Sequence, residues 1–213
     1  MFKTTLIGLL IVACASIAAA QSDDYKKFEF FAGYSHNRID TGIGDDDPSL
    51  RDIVNEREGF NGFNTSVTGN ISRYFGLKFD FSGHFKNETI PVGPITNAVD
   101  LKSRIYNFLG GVQIKNNSSD ATFKPFVHAL VGAAHTRNRL HVSNDVCVAI
   151  APAPCPSDET ISETGLAGAF GGGIDIRASN RVDIRVIQFD YNPTRLFDST
   201  QHNFRIGVGI VFH

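Results

Sequence analysis

Ser199 and His202 place a hydroxyl and an imidazole three positions apart near the end of a 213-residue chain. A hydroxyl nucleophile needs such a base within hydrogen-bond reach. The pair sits in a polar stretch and reads as part of a loop, so no catalytic residue is assigned. Asp45-Asp46-Asp47 with Asp52 offers hard oxygen ligands, but not at the alternate spacing a calcium loop uses. A solvated acidic loop is the expectation. Gly171-Gly172-Gly173 lacks the Lys-Ser/Thr that follows a phosphate loop and lies in an alternating stretch. Small wall residues beside bulky neighbours explain it better. Cys147 and Cys155 lie close together, among Pro152, Pro154 and Pro156. Outside the cytosol such an isolated pair reads as a disulfide closing a short loop. Zinc would need further ligands, and His135 and His141 stand at no zinc-site spacing. No cofactor or metal site is therefore expected.

The redox reading depends on export, and the chain begins with an export signal. Lys3 precedes an apolar run from Leu6 to Ile17, and Ala18-Ala19-Ala20 supplies the small residues before a cleavage site. Residues 1–20 read as a signal peptide and 21–213 as the mature domain. Ile11-Val12-Ala13-Cys14 also resembles a lipobox, which leaves lipidation of Cys14 as an alternative. A net charge of −2 and the lack of any basic run argue against nucleic acid. The chain holds 18 Phe, 5 Tyr and no Trp. Its composition excludes a disordered chain, a collagen and a polytopic helical membrane protein.

The elements that position these residues have a period of two. Leu77, Phe79, Phe81, Gly83 and Phe85 alternate with Lys78, Asp80, Ser82 and His84. Phe204, Ile206, Val208, Ile210 and Phe212 alternate with Asn203, Arg205, Gly207, Gly209 and Val211. The same pattern marks segments 28–37, 63–71, 104–115, 123–137, 166–177 and 181–191, although Phe31 and Leu130 interrupt it. Register is lost near Gln188, where a bulge is expected. Eight strands of about ten residues result, the length a tilted strand needs to cross a bilayer. Short links fall at 72–75, 116–122 and 178–180. Long polar links fall at 39–59, 87–102 and 138–163, with a shorter one at 193–201. Short turns on one rim and long loops on the other describe an all-β, eight-stranded antiparallel up-and-down transmembrane barrel with both termini in the periplasm.

Alternation alone also fits a soluble lipocalin-type barrel. Charges in mid-strand decide against it: Lys78, Asp80, Asp175, Asp183, Arg185 and Arg205 all fall on the polar face. A barrel of eight strands encloses just enough room for side chains, so these charges should pair and plug the lumen. A conducting, porin-like pore is the alternative. Phe and Tyr near the strand ends supply an interfacial girdle.

Several segments resemble the small outer-membrane β-barrel family, the OmpA-like and opacity-protein-like transmembrane domains. They are Phe28-Glu29-Phe30-Phe31-Ala32-Gly33-Tyr34-Ser35, Phe75 to Gly83, Lys124-Pro125-Phe126-Val127, Arg185 to Tyr191 and the closing Asn203 to Phe212. The resemblance implies a Gram-negative outer membrane, contact with its lipid and lipopolysaccharide, and a monomeric barrel. It also implies recognition of the last strand by the barrel-assembly machinery, through Phe204, Ile206, Val208, Ile210 and Phe212. Family members end in an aromatic residue; here His213 follows Phe212. No peptidoglycan-binding domain is expected after Phe212. Lipid A deacylases are similar in size, but Phe204 stands where their His-x-Ser pattern needs the serine. The expected function is non-enzymatic: membrane integrity, or surface interaction through the loops. A lipid A-modifying enzyme is the remote alternative. The loop 138–163, stapled by Cys147 and Cys155, is the best candidate surface for a ligand.

Overall fold

The computed structural model describes residues 25–40, 57–92, 95–142 and 158–213. Eight strands follow one another: β1 (Phe28–Asp40), β2 (Arg57–Asn70), β3 (Phe75–Val92), β4 (Ile95–Lys115), β5 (Phe123–Val142), β6 (Asp158–Arg177), β7 (Val182–Leu196) and β8 (Ser199–Phe212). Each pairs antiparallel with the next, and β8 returns to β1 with Phe30 opposite Phe212 and Arg38 opposite Phe204. The sheet is a closed barrel, so it leaves no free edge. No helix among the described residues is long and apolar enough to cross a membrane. The leader, the acidic run at 45–52, Cys147 and Cys155 lie outside the described residues.

The strands are longer than their apolar alternation. The link expected at 87–102 is instead a hairpin arm in which Asn87 pairs with Lys102 and Val92 with Ile95. The ends of the 138–163 link are also strand, with Asn138 opposite Ile161 and His141 opposite Asp158. The apolar residues there alternate over only two positions at a time, as in Ile90 and Val92 or Leu140 and Val142, too short a run to mark a strand by pattern. The 193–201 link shrinks to a two-residue turn. Phe197 and Asp198 have φ of 52° and 58°, the positive values a type I′ hairpin turn requires. The Phe197 amide donates to Glu163 Oε2 at 2.6 Å, which ties this turn to β6.

The expected bulge lies in β7. Its pairing with β8 shifts between Arg185 and Gln188. Val186 and Ile187 consequently both face outward, while Arg185 and Gln188 both face inward. Two consecutive outward residues reverse the inward parity of the rest of β7.

The interior has two layers. At the rim carrying the termini, and up to mid-barrel, it is ionic. From mid-barrel to the long-loop ends of β1 and β7 it is uncharged and mixed: an apolar cluster of Ile39, Phe60, Ile105, Leu109, Leu130, Ala134 and Leu196 packs among buried neutral polar side chains such as Asn107, Thr136, Asn192 and Asn203. Leu130, which breaks the alternation of β5, belongs to this layer and is fully buried. Phe31 turns inward for another reason: its ring stacks under the Arg185 guanidinium, 4.2 Å from centroid to Cζ.

Candidate functional site

Each strand presents charge or polarity inward and hydrocarbon outward. Among the described residues, the buried carboxylates are Glu29, Asp80, Asp175, Asp183 and Asp190, and the buried cations are Lys78, Lys115, Lys124, Arg185 and Arg205. Five face five, so the formal charges of these ten groups balance. All six charged residues singled out from the sequence sit on this inner face.

Arg205, from the middle of β8, spans the lumen. Its Nη1 donates to Asp80 Oδ1 at 2.9 Å and its Nη2 to Asp190 Oδ2 at 2.7 Å. Asp80 also accepts from Asn64 Nδ2 at 2.9 Å, and Asp190 from Gln188 Nε2 at 2.7 Å. Arg185 forms a two-pronged pair with Asp175, Nε to Oδ1 at 2.8 Å and Nη2 to Oδ2 at 3.0 Å. The bulge lets the same guanidinium reach Gln188 Oε1 at 2.7 Å. Fork geometry of this kind fixes both planes as well as both charges.

Nearer the rim, Lys115 bonds both oxygens of Glu29 at 3.0 Å and lies 2.8 Å from Asp175. Lys124 donates to Asp183 at 2.8 Å, and the His213 ring approaches the same carboxylate at 2.8 Å. The His213 amide donates to the Arg181 carbonyl at 3.0 Å. Lys78 is held differently. Its Nζ lies 3.2 Å from His128 Nδ1 and over the Phe126 ring. His128 Nε2 is 2.9 Å from Asp190 Oδ1, close but outside hydrogen-bond alignment.

Glu29, Lys115, Lys124, His128 and Asp190 complete this set although the sequence did not single them out. Lys115 and Lys124 stand at strand ends, where too few neighbours remain to define an alternation. Asp190 follows the bulge, so counting by twos from Asp183 and Arg185 puts it outside. The signal available was Val186-Ile187, two apolar residues in a row between polar neighbours.

The outer face is apolar over one continuous band. Phe79, Val127, Val131 and Leu166 expose more than half their surface, and Ile206, Val208, Ile210 and Phe212 face the same way from β8. Such a band is far larger than a soluble monomer exposes. Its edge at the terminus rim carries Phe28, Phe75, Phe123 and Phe212. Its other edge carries Tyr34, Tyr106 and Tyr191, with histidines beside them. The Tyr34 hydroxyl donates to Asn61 Oδ1 at 2.6 Å, and Tyr191 and His202 share a 2.5 Å hydrogen bond. These polar tips suit a lipid–water boundary.

Ser199 and His202 do not meet. Three positions apart on β8 they point to opposite faces, and His202 stacks on Tyr191. Gly171 and Gly173 face inward, where a Cβ on Gly173 would collide with the Phe126 ring and the Ile187 carbonyl. Among the described residues no group of His, Cys, Asp and Glu is placed to hold a metal ion. Beyond the apolar band, Asp158 accepts from Arg139 at 3.1 Å and pairs with His141 at 3.0 Å. These two hydrogen bonds hold its carboxyl below the usual carboxylate range.

Comparison with known proteins agrees with this geometry. The family model described as the outer membrane protein beta-barrel domain matches residues 7–212. No curated protein matches the chain. Ail, the attachment invasion locus protein of Yersinia pestis, was solved in complex with the heparin analogue sucrose octasulfate. It is similar over 87% of this chain and 97% of its own, at 18% identity and a TM-score of 0.55. Neisserial surface protein A, NspA, is similar over 88% of this chain and 97% of its own, at 12% identity and a TM-score of 0.58. At these identities the likeness is one of fold.

Proposed function

Because the chain belongs to the family of outer-membrane β-barrel domains, we propose that it is a non-enzymatic, monomeric barrel that presents surface loops on a closed, rigid wall. The carrying observation is the balanced ionic layer: five carboxylates and five cations, all buried, occupy the space a channel would need. Eight strands leave no room for both a packed interior and an aqueous path. Binding then belongs to the loops, above all 138–163 with its Cys147–Cys155 staple, and the barrel itself supports membrane integrity.

In this reading residues 1–20 are removed on export. The barrel-assembly machinery recognises β8 through Phe204, Ile206, Val208, Ile210 and Phe212. His213 is compatible with that signal because its ring turns inward to Asp183 and leaves Phe212 on the outer face. Two measurements test the proposal. Mature protein inserted in a planar bilayer should give no conductance; steady single-channel currents would replace the closed barrel with a pore. In cells lacking the protein, a form with residues 143–157 replaced by a short linker should restore resistance to detergent. Loss of that resistance despite a folded barrel would move the integrity role from the wall to the loop.

A further inference from the structure

Beyond the apolar band, β3 to β6 run on as a four-stranded sheet at the barrel mouth. β3 continues past its last partner on β2, Asn61 opposite Phe85, and β6 past its last partner on β7, Ala167 opposite Thr194. The two faces of this sheet carry opposite charge. The face turned sideways holds Lys102, Arg104, Arg137 and Arg139 against Asp100 and Asp158. The other face continues the parity of the lumen wall. There Glu58, Glu88, Glu159 and Glu163 stand with one cation among the described residues, Lys86. Lys86 is already shared between Glu58 at 2.7 Å and Glu88 at 3.0 Å.

This mouth face is also apolar along its middle. One row crosses all four strands: Glu88 is opposite Leu101, Leu101 opposite Leu140, and Leu140 opposite Glu159. Val99 and Val142 pair in the next row outward. Ile161, 51% exposed, stands in the next row inward. Leu101, Leu140, Val99 and Val142 are half-buried, so the stripe has surface left to cover. An apolar stripe on β4 and β5 thus lies between carboxylates on β3 and β6.

Charge and dimensions together describe the partner. A cationic molecule is repelled by the sideways face and drawn to the mouth face. Glu88 and Glu159 are three strand spacings apart, about 14 Å. An α-helix with its side chains is about 10–12 Å across and fits between them. Val99 to Ile105 spans about 20 Å of strand, the length of about thirteen helical residues. We propose that the mouth face of β3–β6 docks a cationic amphipathic helix. Its apolar side covers Leu101, Leu140 and Ile161, and its lysines or arginines reach Glu88 and Glu159. The inference rests on the surface-loop reading above and names the face and the partner for it.

The test holds the mature barrel in phosphatidylcholine nanodiscs, with empty nanodiscs as the blank. The probe is a Leu/Lys peptide of about 18 residues with its leucines at helical spacing. L101N/L140N should abolish binding above the blank. E88Q/E159Q should weaken it about fivefold at low salt, with the difference fading as salt is raised. D100N/D120N makes the same charge change on the sideways face and at the terminus rim, and should leave binding unchanged. Carbodiimide cross-links from the peptide to the unaltered protein should fall on Glu88 and Glu159, a readout that needs no variant to fold. Three results would each overturn the proposal: equal binding of a peptide with the same composition but alternating leucines, cross-links confined to Asp100 or Asp158, or equal weakening by D100N/D120N. A heat-modifiable, non-conducting barrel that ignores the peptide loses this docking face and keeps its closed wall. Steady currents would strike the wall whatever the peptide does.

Discussion

Arg205 links residues that are 125 and 15 positions away in the chain, and both partners are buried carboxylates. Removing it strands Asp80 and Asp190 without the guanidinium that hydrogen-bonds both. Arg205→Leu should therefore destabilise the barrel by about 3–5 kcal/mol, the usual cost of leaving one half of a buried pair. Urea unfolding in detergent, followed by gel mobility, would show it. A change below about 1 kcal/mol would mean water reaches the site. Asp158 makes a prediction with the sign fixed by its depressed carboxyl. Its contribution is full above the unfolded pKa, near 4, and is lost as pH falls through the lower folded value. Protection against hydrogen exchange at residues 139–142 and 158–160, taken relative to unstructured chain at the same pH, should fall on acidification below about pH 4. In Asp158→Asn that pH dependence should be absent.

At the scale of elements, the turn at Phe197-Asp198 holds two non-glycine residues at positive φ. Asp tolerates that region; Phe does so at a cost of about 1–2 kcal/mol. Phe197→Gly should raise the unfolding midpoint slightly, and a lowered midpoint would show that the ring packs usefully where it lies. The loop between β5 and β6 carries the cysteine proposal. Serine at both Cys147 and Cys155 should leave the barrel heat-modifiable but speed protease cutting between 138 and 163. Unchanged cutting, with no disulfide found by mass, would remove the staple.

Elements were legible wherever one face meets hydrocarbon. Leu77 to Phe85 and Phe204 to Phe212 needed only counting by twos. What escaped was set by other physics. The arm in which Asn87 pairs with Lys102 is held by backbone pairing, and its apolar pairs, Ile90 with Val92 and Val99 with Leu101, are too short to read as a period. Leu130 and Phe31 fill an interior that is not uniformly polar, so each looked like an error in the alternation. Asp190 was hidden by the bulge at Val186-Ile187, which exchanges inside for outside. The acid-edged stripe on β4–β5 depends on register, which hairpin length alone does not reveal.

For the whole molecule, the distribution of side chains is inverted relative to a soluble barrel. The ionic layer lies in the lumen, and Phe, Val, Leu and Ile cover the wall. Mean hydropathy stays near zero because only every second residue faces outward. Wall and lumen together make sense only where the solvent outside is lipid. The most direct test is to fractionate cells and run the membrane and soluble fractions on gels with and without heating. The barrel should appear in the outer membrane as a fast-migrating band that slows after boiling. Recovery in the soluble fraction, with a single mobility, would contradict the inside-out barrel.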